Sequence, residues 1–114
     1  MATRRKESGL KAHWFQILLA LGDKDLHGLD IMNEVLERTE GQMHLWPGQL
    51  YGSLKQLTEA GYVVEVAQPA DADHGGGRPR YYSITNEGRE VLKKEVARLA
   101  RYVEAARAKN LVSG

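Results

Sequence analysis

With 114 residues, no cysteine and a formal charge of +1, the chain has room for one domain around a single modest core. It has no means of building a disulfide framework or a thiolate centre. No apolar run approaches the ~20 residues of a membrane span, and the charged start MATRRKESG leads into no signal-peptide apolar region, so the cytoplasm is the expected compartment. Net charge alone announces no nucleic-acid partner, but the charge is segregated. Residues 23–40 hold six acidic and two basic residues, and residues 78–114 hold nine basic and four acidic ones, which is compatible with a positive face on a near-neutral protein.

Residues 1–9, with Arg4, Arg5 and Lys6 adjacent, read as a short flexible terminus. Leu10 to Leu21 reads as a first helix, because Leu10, Trp14, Ile17, Leu18 and Leu21 fall on one side. Phe15 and Leu19 widen its apolar surface, so this helix is either central or shared with a partner. Gly22 ends it. Leu26 to Thr39 reads as a second helix, with Ile31, Met32, Val35 and Leu36 inward and Asp30, Glu34 and Glu37 outward. His27 at its start either caps the helix or packs on the first one. His13, His27, His44 and His74 show no ligand spacing, so neither a metal nor another cofactor is expected.

Pro47 to Gly61, PGQLYGSLKQLTEAG, is the third helix. Proline suits its first turn, Leu50, Leu54 and Leu57 form a narrow apolar stripe, and Gly61 stands where a helix commonly stops. The opposite face carries Gly52, Lys55, Gln56 and Glu59, flanked by Gln49 and Ser53. After Gly61 the period becomes two. Tyr62 to Ala67 and Arg80 to Ile84 read as strands, joined by PADADHGGGRP at 69–79, which cannot hold regular structure. Arg78 and Arg80 flank Pro79 at the base of this tip. Tyr81 and Tyr82 point to opposite faces, so one of them is expected in the core. Thr85 then caps a last helix in which Leu92, Val96, Leu99, Val103, Ala106 and Asn110 are spaced 4, 3, 4, 3, 4. This seam is too short to stand alone, and its simplest use is packing against a second copy, helped by the first helix.

The fold class expected is therefore mainly α with a small β-hairpin (α+β). The element order is that of a winged helix-turn-helix, here over residues 10–84, followed by a dimerisation helix over 85–110. In such a domain the third helix enters the major groove and the hairpin lies along the backbone or minor groove. Gln49 and Ser53 are the base-contact candidates, since glutamine bonds adenine bidentately. Lys55 is a phosphate candidate, and Arg78 and Arg80 are the wing contacts.

Four stretches carry a family likeness: LHGLDIM at 26–32, PGQLYGSLKQLTEAGYV at 47–63, GRPRYYSIT at 77–85, and Gly88. In order and separation they resemble the PadR-like transcriptional regulators, in particular the short members with a single C-terminal dimerisation helix. The resemblance implies a bacterial homodimer binding double-stranded DNA at an inverted-repeat operator, and a small hydrophobic or aromatic effector. It also implies that the Tyr51 hydroxyl reaches the DNA backbone; packing of Tyr51 on the second helix is the other reading of that residue. The dimer interface then comprises Trp14, Leu92, Val96, Leu99, Val103 and Ala106. Trp14 either lines an effector cavity between subunits or is simply buried there. Leu29, Gln49, Trp46 and Asn86 depart from the family, which has Tyr, Thr, a small residue and Pro at these places. Gln49 and Trp46 touch the start of the reading helix, so no relative's operator carries over. A repressor is the function expected, with a winged-helix protein-interaction module as the alternative. An enzyme finds no support, because GGG at 75–77 lacks the strand-to-helix setting of a nucleotide loop.

Overall fold

The computed structural model describes residues 10–68 and 80–113. It contains α1 (Ala12–Ala20), β1 (Leu26–His27), α2 (Gly28–Arg38), α3 (Pro47–Glu59), β2 (Val63–Val66), β3 (Tyr81–Ile84) and α4 (Asn86–Ala108). The strands form an antiparallel sheet in the order β1-β3-β2, with Glu65 opposite Tyr82 and Leu26 opposite Tyr82 on the other edge. The residues 1–9 and 69–79, to which the flexible terminus and the hairpin tip were assigned, lie outside the described residues.

The three leucines of α3 are buried together with Ile17, Leu18 and Leu21 of α1, Ile31 and Val35 of α2, and Leu45 of the link before α3. One stripe from each of three helices thus converges on a single core. Gly61 stops α3 in the left-handed conformation (φ 85°). Its N–H bonds the Thr58 carbonyl and the Tyr62 N–H bonds that of Leu57, a closure that favours glycine because it lacks a Cβ.

Two expectations change. Leu26 and His27 are not helical: they add a third strand to β3, a pairing too short to register as an alternating pattern. The His27 side chain does cap α2. Its Nδ1 accepts from the Asp30 N–H (3.3 Å), so in the neutral ring Nε2 bears the proton, facing the Asp30 carboxylate at 3.2 Å. The tyrosines of β3 are both buried, not one. Tyr82 joins the core cluster, and the Tyr81 ring meets His27 edge-on with centroids 5.3 Å apart, because β1 brings His27 to the second face.

Thr85 caps α4 as expected, accepting from the Gly88 N–H (3.0 Å) while its hydroxyl donates to the Gly61 carbonyl (2.7 Å). A Cβ on Gly88 would collide with the Tyr62 carbonyl oxygen, so this corner closes only around glycine. The first turns of α4 grip α1 at both ends. Arg89 donates to the Gly22 carbonyl just past its C-terminus (2.9 Å), and the Glu95 carboxylate accepts from the Leu10 N–H before its N-terminus. Leu92, expected in the intermolecular seam, is buried against this same junction. Beyond it α4 leaves the core. The radius of gyration is 16.2 Å, against about 13 Å for a compact chain of this length.

Glu95 is buried and held in a fork by Arg98 (2.6 and 3.0 Å). The Arg98 hydrogen bonds, against the opposing effect of burial, keep its carboxyl below the ordinary value of 4.5. A carboxylate depressed on folding stabilises the fold above its unfolded pKa, and that contribution is lost as pH falls through the folded value. Stability should therefore begin to fall below about pH 4.5. Glu95→Gln should flatten that acid limb in melts taken from pH 7 to pH 3; an unchanged limb would remove Glu95 as its cause. Leu54→Ala should lower stability by about 2–5 kcal/mol through the cavity it leaves, read by denaturant titration.

Candidate nucleic-acid interface

With its leucines inward, α3 presents Gly48, Gly52, Lys55 and Glu59 to solvent. Space beside Gly48 and Gly52 is open: a Cβ on either would meet nothing within 4 Å. Gln49 is also exposed, and its Oε1 accepts from the Trp46 N–H (3.3 Å) at the start of the helix, one half of a capping box, since the Trp46 indole has no acceptor to complete the other half. Ser53 is 9% exposed, at the margin of the leucine stripe. Of the two leading base-contact candidates only Gln49 therefore stands in solvent. A serine beside a stripe is polar enough to read as surface, but its angular position on the helix turns it inward.

Tyr51 is 44% exposed and its hydroxyl lies against Gly28 at the start of α2, so closely that a Cβ there would collide with it. The packing on the second helix is thus present, with part of the ring left open. Tyr51 also borders a groove of about 420 Å³ between α3 and the sheet, which is lined by Lys55, Thr58 and Glu59 on one side and by Glu65, Arg80 and Tyr82 on the other. Arg80 faces Glu65 across neighbouring strands at 3.8 Å. Burial pushes the Tyr82 hydroxyl above its ordinary pKa of 10, and Glu65 adds to this, although a hydrogen bond with Arg80 opposes it. Tyr82 is consequently a neutral hydroxyl in the physiological range. The sequence shows Lys55, Glu59 and Arg80 but not the Glu65 that faces Arg80, because that pairing exists only through the strand register. Arg78 lies outside the described residues.

Trp14 is half-buried, and its ring is engaged by three groups. Nε1 donates to the side-chain Oε1 of Gln56 (3.3 Å), Tyr62 meets it edge-on at 6.4 Å, and the Lys11 ammonium lies 5.2 Å from its centroid. It ties α1 to the outer flank of α3.

The sequence pattern of the transcriptional regulator PadR-like family matches residues 17–94. The chain belongs to this PadR-like family. An uncharacterized 37.1 kDa protein in transposon TN4556 of Streptomyces fradiae is 39% identical over 85 residues, which are 75% of this chain but only 22% of that protein's length. A PadR family transcription regulator from Clostridium difficile R20291 has the same fold (TM-score 0.68, 24% identity, covering 90% of this chain and 100% of that one). So does Bacillus subtilis PadR, a structure in complex with operator DNA (TM-score 0.64, 22% identity, 75% of this chain and 48% of that one). At these identities the two structures speak to the fold, a winged helix in which four helices accompany a small antiparallel sheet. PadR-like proteins are transcription regulators and not enzymes.

The contact between Tyr51 and Gly28 couples the two helices of the helix-turn-helix. Gly28→Ala should destabilise the protein by about 1–3 kcal/mol through overpacking. Tyr51→Phe, which removes the nearest atom, should recover part of that loss in a double-mutant cycle of thermal melts. Additive losses would mean that the clash is relieved elsewhere.

Proposed function

We propose that this protein is a homodimer that binds double-stranded DNA sequence-specifically at an inverted-repeat operator, and that it is a repressor released by a small hydrophobic or aromatic effector. The observation that carries the reading is the orientation of α3, whose buried leucines turn its slim front and Lys55 into solvent. A structural relative with operator DNA supports the choice of partner. In this reading Gln49 bonds adenine from the first turn of α3. Its Oε1 has a second lone pair, so the capping bond to Trp46 persists while the amide meets the base. Lys55, Arg80 and the Tyr51 hydroxyl meet phosphates or the minor groove, and Arg78 joins them on the evidence of sequence alone.

The second copy packs along Val96, Leu99, Val103 and Ala106. Val96 and Val103 are each 45% exposed and Tyr102 beside them 55%, an apolar strip on a helix that has already left its own core. Trp14 is the proposed point of effector action, since a flat ligand stacking there would act on α3 through Gln56.

Selection of bound sequences from random duplex DNA should recover an inverted repeat with half-site centres about 10 base pairs apart. Lys55→Ala and Arg80→Ala should weaken binding to all sequences alike and reduce the salt slope by about one unit each. Val96→Asp with Leu99→Asp should yield monomers in sedimentation where the wild type sediments as a dimer at micromolar concentration. If the wild type enriches no sequence, a protein-docking module becomes the better reading.

A further inference from the structure

The link into α3 carries an aromatic pair that the fold itself does not use. Leu45 is fully buried, which pins the link to the core and turns its neighbours His44 and Trp46 outward. Their rings stack, with centroids 4.1 Å apart and planes inclined by 24°. Trp46 is 61% exposed, more than any tyrosine or phenylalanine among the described residues. It is also the N-cap of α3, with its backbone held by the bond from its N–H to Gln49 and by Pro47 in the next position. An apolar plate stacked on His44 therefore stands at the first turn of the helix, where a Cβ on Gly48 would meet nothing within 4 Å. N-terminal residues of a reading helix are the ones that meet base edges, and the apolar group a major groove offers them is the thymine C5-methyl.

We propose that the His44–Trp46 stack is a second reading element, in which the Trp46 indole packs on the C5-methyl of one thymine in each half-site while His44 holds the indole upright. This rests on the reading of α3 as the DNA-reading helix and adds a base preference to it. Gln49 and Trp46 adjoin at the same helix end, so the thymine should lie next to the base read by Gln49. His44 is a positioning residue: it acts by filling the space behind the indole.

The test uses the operator recovered by selection with the full chain, which should carry a thymine at one symmetric pair of positions. Replacing each symmetric thymine pair in turn by deoxyuracil removes only the methyl groups. At one pair the wild type should lose about four-fold per methyl, or about fifteen-fold for both, the value of burying one carbon each time. Trp46→Ala should bind thymine and uracil duplexes equally at that pair and should enrich no thymine there in a repeat selection. Because the cap runs through the backbone N–H, its melting temperature should stay near that of the wild type. His44→Ala should lose part of the uracil penalty and His44→Tyr, which restores a stacked ring, should regain it. A wild type indifferent to uracil at every position, or a Trp46→Ala protein that keeps the full penalty, overturns the proposal while leaving Gln49 as a reader. A wild type without any sequence preference overturns both this proposal and the reading it rests on.

Discussion

The burial of Leu50, Leu54 and Leu57 fixes more than the stability of α3. A helix held by a stripe one residue wide has one rotation about its axis that satisfies all three side chains, and that rotation decides what the other face presents. It turns the glycines and Lys55 outward, carries Ser53 inward, and sets Tyr51 against Gly28. Any substitution that let α3 roll by a few tens of degrees would expose a leucine and bury a polar group at once. Folding and the geometry of the candidate interface are therefore the same constraint, and selection on one acts on the other.

A second constraint governs how the sheet and α4 sit against that helix. Thr85 receives from Gly88 and donates to Gly61, and its N–H bonds the Tyr62 carbonyl. The end of α3, the end of β3 and the start of α4 are thus joined at a single residue. The base of the hairpin, with Arg80 on it, inherits its position from this corner. Its charge is tempered by Glu65 and Glu59, which line the same groove as Arg80 and Lys55. An anion entering the groove must compete with carboxylates already there, and exposed pairs of this kind hold by only about 0–1 kcal/mol, so the competition is open to a polyanion.

Much of this was legible in the chain. The leucine stripe, the glycine stop, the Thr85 cap and the change of period after Gly61 each rest on local chemistry, and local chemistry is what a sequence displays. What was not legible depends on register or on angle. β1 is two residues long and exists because β3 has a free edge. Tyr81 is covered because β1 brings His27 over it. Ser53 and Leu92 each sit at the margin of a periodic pattern, where one step of helical rotation separates surface from core. Leu92 continues the heptad spacing perfectly well, yet the packing of α4 on α1 claims it first. The bond from the Trp46 N–H to Gln49 was not legible either, because the sequence signal for it is Ser or Thr at the N-cap and Trp46 stands there instead.

The two clasps on α1 have a mechanical meaning. Glu95 holds the N-terminal end and Arg89 the C-terminal end, both from one rigid helix, and each charge has the sign that the adjoining end of α1 favours. A short helix clamped at both ends has no hinge of its own. If the free half of α4 is levered sideways, α1 swings with it as one arm, and the Trp14–Gln56 bond lies between that arm and the flank of α3. The outer half of α4 is thus joined to α3 through α1 by two routes, the core that Ile17, Leu18 and Leu21 share with the α3 leucines and the Trp14–Gln56 bond at its edge.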